Sequence, residues 1–209
     1  MKTNIKIALS GAVAVIVAIA VTAVILGSRA QVVIDAGHGG SDVGAEYNGR
    51  YEKDDNLALA LLVEEKLDSM GIDAVLTRDD DTFISLEKRC MIANIRQAEL
   101  FVSLHRNSAD GANGVEIWVG SEENQTAVCL AENILTMLDK AGISKNRGVK
   151  SGYAGGDGDY YVNSHSNMPS CLVELGFINS EKDNMLFDEK LDAYALAIAD
   201  AVADSLPKQ

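Results

Sequence analysis

The segment VVIDAGHGGSDVGA, Val32 to Ala45, places a histidine among glycines directly after an apolar run. The β-branched residues Val32 to Ile34 predict a buried strand, and Asp35 ends the run. Glycine permits sharp turns and close approach of the backbone to another group, so a tight loop is expected around His38. Open α/β sheets bind their ligands at this end of a strand. On this stretch alone, a turn with an incidental histidine explains the pattern equally well.

Further along the chain, strand-like apolar segments alternate with segments of helical periodicity. Strands are expected in IDAVLT, ELFVSLH, GVEIWV (with one wet face) and SCLVELGF. Helices are expected in EKDDNLALALLVEEKLDSM, SLEKRCMIANIRQA, NQTAVCLAENILTMLDKA and Leu191–Ser205, with Lys88 and Arg89 pointing outward. The region from Lys145 to Pro169 lacks a period and is expected to be a functional loop. The alternation predicts one α/β domain with a mixed, mostly parallel sheet flanked by helices.

Composition limits the classes of partner. The formal charge of the 209-residue chain is −13, and because the first thirty residues contribute +3, residues 31–209 carry −16. Nucleic acid is therefore excluded as a partner, since binding it requires basic patches. The three cysteines form no CxxC pair, and their odd number argues against a disulfide framework, so small buried residues are expected at all three positions.

The N-terminus has a different composition from the rest. Ile7 to Gly27 carries no charge and is about long enough to cross a bilayer. Lys2 and Lys6 precede this run, which favours a cytoplasmic N-terminus and an exported domain. Residues 1–30 are therefore either a hydrophobic signal-anchor helix or a signal peptide cleaved after Ala30; the length favours the anchor. Either alternative places the domain at 31–209 outside the cytoplasm.

Polar residues at the ends of apolar segments suggest a metal site. His38 and His105 follow strands, Glu52 opens a helix, and a catalytic Zn²⁺ commonly has two histidines, one carboxylate and a water. Glu174, inside an apolar strand, would then be the general base. Glu52 and His105 also have simpler explanations. A glutamate at the start of a helix interacts favourably with the helix dipole, and His105 could be a buried histidine whose ring nitrogens have hydrogen-bond partners. Glu174 is harder to explain that way, because a buried charge needs a partner.

Five blocks in the same order resemble the zinc-dependent N-acetylmuramoyl-L-alanine amidases, which cleave bacterial peptidoglycan. They are IDAGHGGSDVGA, EKDDNLALA, TRDDDTFISLEKRCMIAN, LFVSLHRNSA, and RGVK with MPSCLVELGFINS. The resemblance covers nearly all of residues 31–209. It implies that His38, Glu52 and His105 bind zinc and that Glu174 is the catalytic acid/base. The implied substrate is the muramyl peptide of the cell wall, cut between N-acetylmuramic acid and L-alanine.

The chain departs from the family pattern at two places. Ala36 stands where proline is more usual, and Asn163-Ser164 where Leu-Arg is common. A basic group for the substrate peptide is then absent, or Arg106 supplies it. His165, in the same loop, is expected to be exposed.

Three alternatives to the amidase remain open. They are a metal-free wall-binding or regulatory module, a zinc carboxypeptidase, and a phosphate loop at GHGG, although no GKS or GKT follows that stretch. Whether an activator protein acts on the domain is also left open.

Overall fold

A six-stranded sheet with the order β4-β1-β5-β8-β6-β7 lies at the centre of the molecule. The computed structural model describes residues 29–121 and 124–207. The strands are β1 Val32–Ala36, β2 Glu46–Tyr47, β3 Arg50–Tyr51, β4 Ala74–Leu76, β5 Leu100–Asn107, β6 Val115–Val119, β7 Asn146–Ser151 and β8 Ser170–Phe177. The helices are α1 Glu52–Ser69, α2 Leu86–Ile95, α3 Gln125–Ala141, α4 Tyr161–His165 and α5 Glu181–Ser205.

Strand directions confirm the mixed, mostly parallel sheet. Strands β4, β1, β5 and β8 run parallel to one another. Strand β6 runs antiparallel to β8 and parallel to β7. Strands β2 and β3 form a separate antiparallel ribbon just before α1. The described residues thus form an α/β architecture with a mixed, mostly parallel sheet, as the alternating pattern predicts.

Helices cover both faces of the sheet, which explains why its strands read as unbroken apolar runs. Successive side chains of a strand point to opposite faces. On β1, Val32 and Ile34 belong to the core beneath α1, α3 and α5. Val33 belongs to a second core beneath α2 and α4. We call these the first and second faces of the sheet.

The prediction that one face of β6 is exposed to solvent is wrong, because all five residues of this strand are buried. The segment predicted as a loop, Lys145–Pro169, contains β7 and α4 and covers the second face at this position. Lys150 of β7 pairs with Glu116, and the ring of Tyr160 packs 5.6 Å from that of Trp118. The polar and apolar residues that alternate in β6 therefore point to opposite faces of the sheet, and both faces are buried at this position.

Two further expectations need correction. Helix α5 begins at Glu181, ten residues before the predicted start, where the Ser180 side chain accepts a hydrogen bond from the Asp183 backbone N–H. Its first turns are mostly polar, so apolar periodicity did not reveal them. Cys90 and Cys171 are buried as expected, whereas Cys129 is exposed on α3.

The predicted membrane segment, residues 1–30, lies outside the described residues except for Arg29 and Ala30. Within the described ranges, no helix is both long and apolar enough to cross a bilayer.

A buried ion pair fixes the beginning of the glycine loop. Asp35 is fully buried and accepts hydrogen bonds of 2.6 Å each from Thr77, Ser103 and Arg89. Burial raises the pKa of Asp35, but the charge of Arg89 and these hydrogen bonds outweigh it and hold the pKa below its usual range. Arg89, predicted to point outward, is buried and also donates to the His38 carbonyl at 2.6 Å.

Removing one member of this pair should strongly destabilise the domain. We expect Asp35→Ala to lower the free energy of unfolding by about 3–5 kcal/mol, because Arg89 is left buried and uncompensated. Asp73→Ala, an exposed matched control, should change it by no more than about 0.5 kcal/mol. Urea unfolding of both variants measures the difference, and equal midpoints would contradict a structural role for the pair.

Candidate active site

The glycine loop after β1 is shaped around two side chains from elsewhere in the chain. A Cβ atom on Gly37 would lie only 2.3 to 2.8 Å from ring atoms of His105. A Cβ atom on Gly44 would lie 2.6 Å from Oε2 of Glu52, at a backbone φ of +66°. Close packing of the loop against these two residues thus requires glycine. His38 itself has φ +60°, a conformation that is uncommon outside glycine and is found at functional sites.

His38, Glu52 and His105 meet at the carboxyl end of the parallel strands. Oε1 of Glu52 lies 3.2 Å from Nε2 of His38 and 2.8 Å from Nδ1 of His105. One potential ligand atom from each residue lies within 4.8 Å of the others. The three residues come from the loop after β1, the first position of α1 and the end of β5. The topology of the sheet therefore brings together three residues that are far apart in the sequence.

The environment of Glu52 holds it as a charged group. Burial raises the pKa of Glu52, but hydrogen bonds and charge from His105 and His38 outweigh it and hold the pKa well below its usual range. Burial lowers the pKa of His38, but Glu52 and Asp42 outweigh it and raise the pKa to about 9. The surroundings of the buried Glu52 carboxylate thus stabilise its negatively charged form.

The donor set fits a zinc ion. Tetrahedral ligands about 2.0–2.1 Å from zinc are separated by about 3.3 Å, close to the Glu52–His38 distance. Nδ1 of His38 is held by Oδ2 of Asp42 at 2.9 Å, which leaves Nε2 directed at the cluster. Metal-binding histidines usually have such a partner on the second ring nitrogen. Oε2 of Glu52 accepts from the Ala45 backbone N–H at 2.9 Å, so its orientation is also fixed.

Glu174 lies beside this cluster on β8. It is in register with His105 on β5 and with Glu116 on β6. Its Oε2 atom is buried and has no hydrogen-bond partner among the described residues. Burial raises the pKa of Glu174 to about 8, and the charges of Glu52 and Glu116 add to the effect. Glu174 therefore keeps its proton to a higher pH than an ordinary carboxyl group.

Glu116 has the opposite environment, although it faces Glu174 across the strand pair. Arg147 and Lys150 donate to its Oε2 at 2.6 and 2.7 Å, and Trp118 donates to its Oε1 at 3.1 Å. Burial raises the pKa of Glu116, but the two cations outweigh it and lower the pKa. Of the two neighbouring carboxylates, only Glu174 lacks such partners.

A cleft of about 580 Å³ opens over the four residues. Tyr153 and Tyr160 line one side, with their ring centroids 4.9 Å apart and nearly perpendicular. Both belong to the segment predicted as a functional loop, but the sequence did not identify the tyrosines. Their spacing matches no motif, and they reach the cleft only because β7 and α4 place this segment over β6.

Arg106, one of the residues that line the cleft, has its guanidinium group engaged by partners within the protein. The residue is 2% exposed; its guanidinium pairs with Asp55, donates to Asn184 at 2.7 Å and lies 4.5 Å from the Phe187 ring centroid. Charge compensation at Asp55 accounts for its burial. His165 is exposed as expected and stacks on Tyr161, with ring centroids 3.7 Å apart.

The sheet, the ligand set and the adjacent unpartnered carboxylate define a candidate α/β metallohydrolase. Residues 32–207 match the family model described as N-acetylmuramoyl-L-alanine amidase, Amidase_3. The chain belongs to this family, and it is a peptidoglycan amidase. This result favours the amidase over the carboxypeptidase and the phosphate loop.

Two individual relatives and one solved structure show what the chain is similar to, and two of these three proteins are named as amidases. The chain is 40% identical over 153 residues to the N-acetylmuramoyl-L-alanine amidase LytC of Bacillus subtilis, covering 72% of this chain and 30% of LytC. It is 41% identical to the uncharacterized protein YqiI of the same organism, over 84% of this chain and 82% of YqiI. The structure of the amidase AmiC2 of Nostoc punctiforme matches with a TM-score of 0.74 and 38% identity, over 83% of this chain and 94% of AmiC2.

The Asp42 contact predicts a change in metal affinity. Asp42→Ala should weaken zinc binding about 10–100-fold, because the His38 ring loses the group that orients it. Asp42→Asn keeps an acceptor oxygen, so its zinc affinity should lie between that of the wild type and that of Asp42→Ala. Competition with a chromogenic chelator measures the affinity, and Asp204→Asn, an exposed change on α5, serves as the control. An unchanged affinity in Asp42→Ala would show that the contact does not orient the ligand.

Proposed function

We propose that His38, Glu52 and His105 hold the catalytic zinc ion of this amidase and that Glu174 transfers the proton. The observation that carries the proposal is the juxtaposition of three ligand atoms within 4.8 Å with a buried, unpartnered Glu174 oxygen. When bound, the ion supplies Lewis acidity, which polarises the scissile carbonyl and acidifies water. The complete ligand set argues against a metal-free wall-binding module.

Glu174 has two tasks in the proposed reaction. It accepts a proton from the water that attacks the carbonyl between N-acetylmuramic acid and L-alanine. It then delivers this proton to the leaving amine of L-alanine. Its pKa of about 8 lies near neutrality, where a carboxyl group can both accept and return a proton. Burial disfavours the ionised form of Glu174, and the positive charge of a bound ion would favour the ionised form that begins the cycle.

Tyr153 and Tyr160 supply a second part of the proposed substrate site. Aromatic rings offer flat apolar surfaces with a polar edge, which suits a sugar–peptide chain. Tyr153 is 46% exposed and therefore accessible to such a substrate. In this proposal the tyrosines hold the muramyl peptide, while the Arg106 guanidinium stabilises the fold from below the site.

The chain is further proposed to act outside the cytoplasm from a membrane anchor. Its substrate is a cell-wall polymer, which requires export. The uncharged run Ile7–Gly27, preceded by Lys2 and Lys6, suits a signal anchor with the domain on the far side. The alternative is a cleaved signal peptide, which would release a domain starting at Gln31.

Glu174→Gln tests the proton-transfer role. We expect activity on purified peptidoglycan to fall by about 10²–10⁴-fold, because glutamine keeps the shape but accepts no proton. Mass spectrometry of the wild-type digest should show free lactyl ends and new L-alanine N-termini. Zinc content should remain unchanged, and Glu132→Gln, an exposed change on α3, should retain full activity.

Two results would contradict the assignment of Glu174, and a third would contradict the amidase reaction itself. A Glu174→Gln protein with most of its activity would remove the residue from the mechanism. A Glu174→Gln protein that lost its zinc would make the residue a ligand. Peptides trimmed only at their C-termini in the wild-type digest would indicate a carboxypeptidase.

A further inference from the structure

Helix α2 presents an apolar surface that no described part of the chain covers. Ile95 is 66% exposed, the largest exposure among the large apolar side chains of the described residues, and Met91 is 50% exposed. Residues four positions apart lie on the same side of a helix, so the two form one surface. Tyr161 and His165 of α4 border the same shallow groove. We call Met91, Ile95 and Tyr161 the α2 apolar face.

This face lies where the chain enters the domain. The Ala30 backbone N–H donates to the carbonyl of Arg96 at 3.1 Å, one residue beyond Ile95. The apolar run that ends at Gly27 is three residues before Ala30, a span of at most about 10 Å. Whatever Ile7–Gly27 enters must therefore lie close to the end of α2.

We propose that the α2 apolar face rests on the lipid bilayer that the N-terminal run enters. The proposal rests on the anchor described under the proposed function and adds an orientation to it. A short connection holds the domain near the lipid, and an exposed apolar helix face gains by inserting at the boundary of headgroups and acyl chains. Helix α5 packs on the first face of the sheet, opposite to α2, and in this orientation it lies on the side of the domain away from the membrane.

The contact is apolar rather than ionic. Glu87 and Lys88 are both exposed on α2 and offset each other in charge. Residues 31–209 carry −16, so anionic lipid would repel the domain rather than attract it. The contact should therefore form on zwitterionic vesicles and should not depend on ionic strength, because salt screens charge and not apolar burial.

Lipid quenching of a fluorophore on the full-length chain tests the orientation. A Cys129→Ser background leaves only the buried Cys90 and Cys171, and a single cysteine is then introduced as Ile95→Cys or Met185→Cys for labelling with an environment-sensitive dye. Met185, 53% exposed on α5, is the matched control. Each protein is reconstituted into phosphatidylcholine vesicles that contain spin-labelled lipid, and flotation measures how much of the chain stays with the vesicles.

On phosphatidylcholine vesicles, position 95 should be quenched several-fold more than position 185, equally at low and high salt, and added phosphatidylglycerol should not strengthen the quenching. Equal quenching at both positions in a chain that floats would overturn the orientation while leaving the anchor intact. Quenching at position 95 that requires phosphatidylglycerol and low salt would overturn the apolar contact. If position 95 is shielded without lipid, and more so at higher protein concentration, the α2 apolar face contacts a second copy of the chain and the proposed bilayer contact is overturned. A chain that fails to float would overturn both the anchor and the orientation.

Discussion

The Glu52 carboxylate is the group on which the arrangement of the site depends. Its Oε1 accepts from His105 at 2.8 Å and from the backbone N–H of Arg106 at 3.1 Å, and it lies 3.2 Å from His38. Its Oε2 accepts from the Ala45 backbone N–H, which closes the glycine loop onto helix α1. A single buried carboxylate thus joins the loop after β1, the start of α1 and the end of β5. A carboxylate so buried requires hydrogen-bond donors or positive charge nearby, and the rings of the two histidines lie against it.

The three residues of the cluster could be selected from the sequence because each follows or begins an element with a clear pattern. His38 and His105 end apolar strands, Glu52 opens a periodic helix, and the order of these elements in an α/β fold brings their ends together. The roles of the buried cations were not predictable in this way. Arg89 contacts Asp35, 54 positions away, and Arg106 contacts Asp55, 51 positions away. No local pattern distinguishes such residues from surface arginines.

The two acidic residues that face each other on β6 and β8 illustrate the same limit. Glu174 stood out because it interrupts an apolar run, whereas Glu116 alternates with apolar residues and suggested a solvated face. Both are buried. The difference comes from Arg147 and Lys150, which reach Glu116 from β7, a strand that the sequence did not predict. Tertiary pairing therefore decides which carboxylate is a structural ion-pair partner and which is available for chemistry.

The central claim is that two histidines and one carboxylate, with no cysteine, bind the metal. X-ray absorption at the zinc edge of the zinc-loaded protein tests it most directly. The account predicts nitrogen and oxygen neighbours at about 2.0–2.2 Å, with the scattering signature of two imidazole rings and no sulfur. A sulfur neighbour at about 2.3 Å, or the signature of fewer than two imidazoles, would contradict it.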